Sequence, residues 1–163
     1  MEIKGFITNL GKYNEGKLIG KWISFPISKE ELNKVISEIG CDREGYEEYF
    51  FTDWDTEADF DFGEYPRVSD VNAVAEKIQN IHDDNLVIAI VEKDGVEGLD
   101  EYQKYNLFSD ITDEAGVGYW AVSEFGDVPK WIEGYIDMYR LGSDYIDDCD
   151  CEFTSKGWLI KNE

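Results

Sequence analysis

Apolar positions along the chain follow two different periods, and the places where one gives way to the other outline the elements. Ile3 to Thr8 and Lys17 to Phe25 have the composition and alternation of strands. A loop centred on Asn14-Glu15-Gly16 joins them, and its Asn and Gly supply the positive φ that a hairpin turn needs. The period then changes to that of a helix. Ser28 followed by Glu31 forms a capping box, Leu32, Val35, Ile36 and Ile39 recur at i, i+3, i+4 and i+7, and Gly40 stops the run.

From Tyr46 to Phe62 aromatic and acidic residues interleave. Asp53, Asp55, Glu57, Asp59 and Asp61 take every second position, with Trp54, Thr56, Ala58, Phe60 and Phe62 between them, which predicts an extended segment with carboxylates on one face. Pro66 interrupts it, and Ser69 or Asp70 is placed to cap a helix carrying Val71, Val74, Ala75, Ile78 and Ile81 on one side. Leu86 to Val91 fits a buried strand or a short core helix equally well, and Leu99 to Tyr105 fits another short helix.

Thr112 or Asp113 starts a helical segment containing Val117, Trp120 and Val122 that ends at Gly126. Pro129 suits the first turn of a further helix, with Ile132, Tyr135, Ile136 and Tyr139 on one face and Gly142 as its stop. Asp148, Asp150 and Glu152 alternate with Cys149, Cys151 and Phe153, and Ser155-Lys156-Gly157 turns this second acidic strand into Trp158-Leu159-Ile160. The order predicts an α+β fold with small antiparallel sheets and short helices at both ends and a mainly helical middle. A chain of 163 residues suffices for one ordinary domain or for two or three very small ones.

Composition changes the picture sharply. Thirty-seven Asp and Glu face fifteen Lys and Arg, a formal charge of -22. Solubility alone does not ask for that much in a chain of this size. Disorder is a poor explanation, because 15% aromatic and 42% hydrophobic residues offer ample apolar surface to bury, whereas adaptation to high salt stays open on composition. The charge is also uneven: six Lys against four Glu give residues 1–37 a net +2, so the remainder carries -24. No segment after residue 37 offers the basic patch that a nucleic-acid binder needs, so direct binding to nucleic acid is not expected.

Conventional active-site chemistry finds little support. His82 is the sole histidine and reads as a solvated surface residue. Cys149-Asp150-Cys151 lacks the further soft ligands of a closed zinc site and reads as buried thiols on a strand, so no metal or cofactor is expected. The third cysteine, Cys41, leaves an odd number without framework spacing, which suits a reducing cytoplasm. There is no Gly-rich loop of Walker or Rossmann spacing. A carboxylate pair suited to hydrolysis is inevitable among so many acids and so carries no weight. The longest apolar run, Leu86 to Val91, is too short to cross a bilayer, and the start of the chain lacks a signal-peptide apolar region, so no membrane role is expected.

What a dense acidic surface can do is imitate phosphate. Alternate carboxylates on a strand lie about 6.6 Å apart, and helical pairs at i, i+3 or i+4 about 5 to 6 Å, close to the spacing of phosphates along one DNA strand, taken as roughly 6 to 7 Å. Density is the harder test. A compact protein of this mass exposes about 8,300 Å², so the average is roughly one net charge per 380 Å², against about one per 110 Å² on duplex DNA. Mimicry therefore requires the acids to gather on one face, or an elongated or dimeric molecule. On a dimer the combined charge, laid out at the DNA value, would stretch about 75 Å, or roughly 22 base pairs.

Three stretches of this chain, in order, resemble the ArdA family of antirestriction proteins. The first runs from Phe6-Ile7-Thr8-Asn9-Leu10-Gly11-Lys12-Tyr13-Asn14 through Gly16 to Gly20-Lys21-Trp22. The second is Tyr46-Glu47-Glu48-Tyr49 with the acids after it. The third is Phe125-Gly126-Asp127-Val128-Pro129, continuing to Tyr135-Ile136-Asp137 and Gly142-Ser143-Asp144.

The resemblance implies an elongated chain of three small domains: an N-terminal α/β domain over 1–63, a mainly helical middle over 64–107, and a C-terminal α/β domain over 108–163. It further implies a homodimer formed through the C-terminal part, and a non-enzymatic, cytoplasmic protein of mobile genetic elements. Such a protein occupies the DNA-binding groove of type I restriction–modification enzymes and blocks cleavage and modification.

The acids expected to form the target-binding surface are Glu44, Glu47, Glu48, Asp53, Asp55, Glu57, Asp59, Asp61 and Glu64, then Asp110, Asp113, Glu114, Asp144, Asp147, Asp148, Asp150 and Glu152. Gly126, Asp127, Val128, Pro129, Tyr135, Ile136, Asp137, Tyr139 and Gly142 belong to the antirestriction-like motif, as packing or dimer contacts. Two other functions compete: mimicry directed at a CRISPR effector, nucleoid or transcription protein, and a carboxylate-based hydrolase.

Overall fold

The computed structural model describes residues 1–126 and 128–163. They form an α+β fold with two small antiparallel three-stranded sheets. The chain divides into two compact units, Met1–His82 and Asp83–Glu163.

In the first unit β1 (Ile3–Asn9) is the central strand, flanked by β2 (Gly20–Phe25) and β3 (Tyr49–Asp55). β1 pairs with β2 from Ile3↔Phe25 to Thr8↔Gly20. Its pairing with β3 shifts register between Phe6 and Ile7. The period-2 pattern buries Ile3, Ile7, Ile23, Phe25 and Phe51 almost completely. Each contributes about 1.5–3 kcal/mol relative to exposure.

The predicted hairpin loop contains a short helix, α1 (Leu10–Asn14). Asn9 is fully buried and explains it. Its Oδ1 accepts the Lys12 backbone N–H at 2.9 Å, starting α1, while its Nδ2 donates to the Ile39 carbonyl at 3.1 Å. One side chain thus satisfies orphan groups at two helix ends.

α2 (Lys29–Glu38) carries both halves of the Ser28–Glu31 capping box. Its end is a Schellman motif: Gly40 at φ +80 donates to the Ser37 carbonyl and Cys41 to that of Ile36. α3 (Val68–Gln79) buries Val71, Val74, Ala75 and Ile78 as expected, and Ile81 is buried beyond its end. Its N-cap is Arg67, without a side-chain bond, so Ser69 and Asp70 lie in the first turn instead of capping it. Asn72 ties α3 to the chain after β2, accepting from the Ile27 N–H at 2.8 Å and donating to the Ile27 carbonyl at 2.9 Å.

In the second unit the ambiguous run 86–91 is helical, within α4 (Asp84–Asp94). Asp83 caps it through the N–H groups of Asn85 and Leu86, and Val87 to Ile90 are all buried. A 3-10 helix, Val96–Lys104, occupies the region expected to be a short helix, and it passes directly into a strand, β4 (Tyr105–Phe108). β4 and β5 (Cys151–Thr154) flank β6 (Gly157–Lys161) in a sheet of order β4-β6-β5.

α5 (Glu114–Phe125) begins at the Asp113 cap. The helix expected from Pro129 to Gly142 is two: α6 (Lys130–Glu133) and α7 (Met138–Asp148), the latter capped by Asp137. Gly142 does not end α7 but lies inside it. A Cβ there would meet the Glu114 carbonyl oxygen at 1.7 Å, and a Cβ on Gly118 would meet that of Met138 at 2.0 Å. These glycines let the backbones of α5 and α7 touch, which outweighs their poor helix propensity. Behind them Trp158 is fully buried among Phe108, Trp120 and Tyr145.

Candidate acidic interaction surface

The acidic segment after β3 keeps the predicted alternation without remaining a strand. Only Asp53 and Asp55 stand on β3, opposite Phe6 and Lys4 of β1. Beyond Asp55 the chain leaves the sheet, so Glu57, Asp59 and Asp61 sit on irregular backbone. Even so, Asp53, Asp55, Glu57, Asp59 and Asp61 are all exposed, whereas Ala58 and Phe60 are buried and Trp54, Thr56 and Phe62 half-buried.

Two backbone bonds explain the persistence. Phe60 N–H donates to the Ala58 carbonyl and Phe62 N–H to that of Phe60, both at 3.0 Å, as successive three-residue turns. The aromatic face anchors this ribbon. Trp54 packs on Phe51 with ring centroids 4.7 Å apart and on Phe62 at 4.8 Å, and its indole N–H donates to the Gly63 carbonyl at 2.9 Å. The Phe51 N–H donates to the Glu64 carbonyl at 2.8 Å, bringing the chain back along β3.

Glu44, Glu47 and Glu48 lie between α2 and β3, all exposed, and the Glu64 side chain is exposed as well. Among the described residues, none of these four, nor Asp53, Glu57, Asp59 or Asp61, forms an ion pair, and four lysines of this unit are engaged by other acids. Lys12 and Lys17 both hold Glu15, at 3.1 and 3.3 Å. Lys21 holds Glu38 at 2.6 Å. Lys4 divides itself between Glu2 at 3.0 Å and Asp55 at 3.8 Å.

The tightest of these knots involves Tyr46. Its hydroxyl donates to Glu15 and its ring lies beneath the Lys12 ammonium, 3.8 Å from the centroid. The Tyr46 hydrogen bond first, then Lys12 and Lys17, lower the Glu15 carboxyl to about 2. A depressed carboxyl stabilises the fold above its unfolded value, and that contribution is lost as pH falls from about 4.5 through 2. Carboxyl carbon NMR is expected to show Glu15 titrating near pH 2 in the native protein and moving up toward the ordinary carboxylate range in Tyr46→Phe. An unchanged midpoint in that variant would contradict the assignment.

In the second unit Asp110 and Asp113 are exposed and Glu114 is half-buried, at the entry to α5, where Asp113 Oδ1 accepts the Gly116 N–H at 2.7 Å. Asp144, Asp147 and Asp148 share one face of α7 at i, i+3 and i+4 and are exposed. Asp147 and Asp148 occupy the last turn, which holds no basic residue. Negative charge there opposes the helix dipole at a cost of about 0.3–1 kcal/mol each. Glu152 is exposed on β5, and Asp150 is exposed but paired with Lys93. Lys104 and Lys161 both hold Glu101, at 3.0 and 3.1 Å.

The third motif divides. Tyr135 is 87% exposed and Tyr139 59%, so neither belongs to the core of this chain. Ile136 and Val128 are half-buried, Gly126 and Pro129 exposed, and Gly142 buried against α5. Asp137 is exposed and caps α7 by accepting the Arg140 N–H at 3.1 Å. Asp127 lies outside the described residues. Exposed Trp131, Tyr119 and Phe125 also lie on α5 and α6, and the sequence analysis did not single them out as surface residues. Nothing in the sequence separated them from core aromatics.

Cys149 and Cys151 are free thiols, half-buried against the Trp158 cluster, and burial pushes the Cys151 thiol up. Among the described residues no group of three or more His, Cys, Asp or Glu is placed to hold a metal ion. No described helix is long and apolar enough to cross a membrane. A family model described as "Antirestriction protein (ArdA)" matches residues 5–160. No curated protein matches the chain.

Proposed function

We propose that this chain, which belongs to the ArdA family of antirestriction proteins, acts as an acidic, non-enzymatic mimic of duplex DNA. Its target is a type I restriction–modification enzyme of the host cytoplasm, whose DNA groove it fills so that cleavage and modification are both blocked. The observation that carries this reading is the row of exposed carboxylates from Glu44 to Glu64, almost none of them answered by a cation of this protein. Five more exposed acids between Asp144 and Glu152 support it. In this reading Tyr135 and Tyr139, too exposed for a monomer's core, belong to the contact between two copies. The protein itself does not bind nucleic acid.

Competition is the direct test. Purified protein is expected to inhibit both cleavage and methylation by a type I enzyme, and added duplex DNA is expected to relieve the block. Affinity should fall steeply as salt rises, because exposed opposite charges are screened over about 10 Å at 0.1 M salt. Inhibition that ignores both DNA and salt would refute mimicry.

A further inference from the structure

The outer face of the first sheet carries apolar surface that the acidic reading leaves unused. Phe6 on β1 and Trp22 on β2 are direct cross-strand partners, packed edge to face with centroids 5.3 Å apart. With Tyr13, Leu18, Thr52 and Asp53 they line an open cavity of about 420 Å³. Leu18 is 64% exposed, Tyr13 49% and Trp22 43%. Thr52 reaches the cavity because the register shift beside Phe6 leaves it without a direct partner on β1, and its hydroxyl meets that of Thr8 at 3.0 Å.

We propose that this cavity is a receptor for one arginine side chain, presented by the DNA-binding surface of the enzyme that the acidic face engages. Charge complementarity selects the occupant. Asp53 is exposed and makes no ion pair among the described residues, while Lys4, on the same face, is turned toward Glu2 and Asp55. One Asp53 oxygen accepts the Trp54 N–H at 2.9 Å, and the carboxylate retains further acceptor capacity. A purely apolar occupant would desolvate that carboxylate without a counter-charge. A guanidinium stacks flat on an aromatic ring and forks onto a carboxylate at once, whereas an ammonium is a compact, strongly hydrated point charge. Arginine, tryptophan and tyrosine are also the residues that most often dominate interface energies.

The identity of the partner rests on the DNA-mimic reading, and the receptor itself does not. The full chain, labelled with nitrogen-15 at its tryptophan indoles, would be titrated at constant ionic strength with N-acetyl-arginine amide, N-acetyl-lysine amide and glycinamide. The Trp22 indole resonance, identified by its loss in Trp22→Leu, is expected to shift saturably with the arginine derivative and at least about threefold less with lysine. Asp53→Asn, which keeps the size of an exposed side chain, is expected to suppress the response while leaving circular dichroism unaltered. No shift, or the same shift with all three compounds, overturns the receptor.

Against a type I enzyme, Trp22→Leu is expected to weaken inhibition about tenfold without changing its salt dependence. Failure of the wild-type chain to inhibit, with the arginine response intact, would overturn the partner and leave the receptor standing. Inhibition without any arginine response would overturn the receptor alone.

Discussion

Gly142→Ala is expected to unfold the second unit at a temperature roughly 10–20 °C below the parent. The added Cβ would lie 1.7 Å from the Glu114 carbonyl oxygen and 2.8 Å from the Gly118 nitrogen. Both obstacles are backbone, so no rotamer change relieves them, and α5 must move off α7. Overpacking costs about 1–3 kcal/mol where side chains can adjust and more where they cannot. Alanine's better helix propensity returns only about 1 kcal/mol. A net loss of about 2–3 kcal/mol in a unit of roughly 80 residues corresponds to that shift, at about 4–8 °C per kcal/mol. Thermal unfolding followed by near-ultraviolet circular dichroism of Trp120 and Trp158 reads it. Gly134→Ala is the control, since a Cβ there meets nothing within 4 Å and should leave the midpoint within a few degrees. Equal behaviour of the two variants would contradict the close helix contact.

Neutralising the ribbon as a whole is expected to weaken inhibition about 100-fold, although most of its acids matter little one at a time. The variant replaces Asp53, Asp55, Asp59 and Asp61 by Asn and Glu57 by Gln. Each exposed charge contact contributes about 0.2–1 kcal/mol, so replacing Asp55, Glu57, Asp59 or Asp61 alone should cost about twofold, and Asp53, which also serves the arginine receptor, up to about tenfold. Five together cost about 2.5–3 kcal/mol, which at 1.4 kcal/mol per decade gives the larger factor. All five side chains are exposed, so the fold should survive. Titration of enzyme inhibition with each single variant and with the combined one measures the pattern. Complete loss on a single replacement would instead signal a reacting group, and mimicry would be the wrong description.

The fold was legible wherever a local rule decides structure. Ser28, Glu31 and Gly40 cap α2 through bonds within a few residues, and those bonds are present. The exposure pattern of 53–61 was legible for the same reason, because alternation needs only a period of two, and the three-residue turns after Ala58 preserve it where the sheet ends.

What escaped depends on distant partners. Gly142 reads as a stop until the Glu114 carbonyl is beside it, since only the contact distinguishes a packing glycine from a capping one. α1 depends on the burial of Asn9, whose second bond goes to Ile39, thirty residues away. The strand β4 follows a 3-10 helix without punctuation, and its pairing with β6 spans more than fifty residues of sequence. Of the surface, the sequence revealed the acids and their spacing, whereas the exposed aromatics of β2 and α5 to α7 carry the same letters as core residues. Only burial separates the two.

The placement of Asp147 and Asp148 in the last turn of α7 has an evolutionary corollary. Both are exposed, so either could become Asn without loss of packing, and the helix would gain from the change. A laboratory selection for heat resistance alone would therefore discard these two acids early. Under the proposed function the hardened protein would emerge as the weaker inhibitor, and its lineage would record which negative charges that function requires.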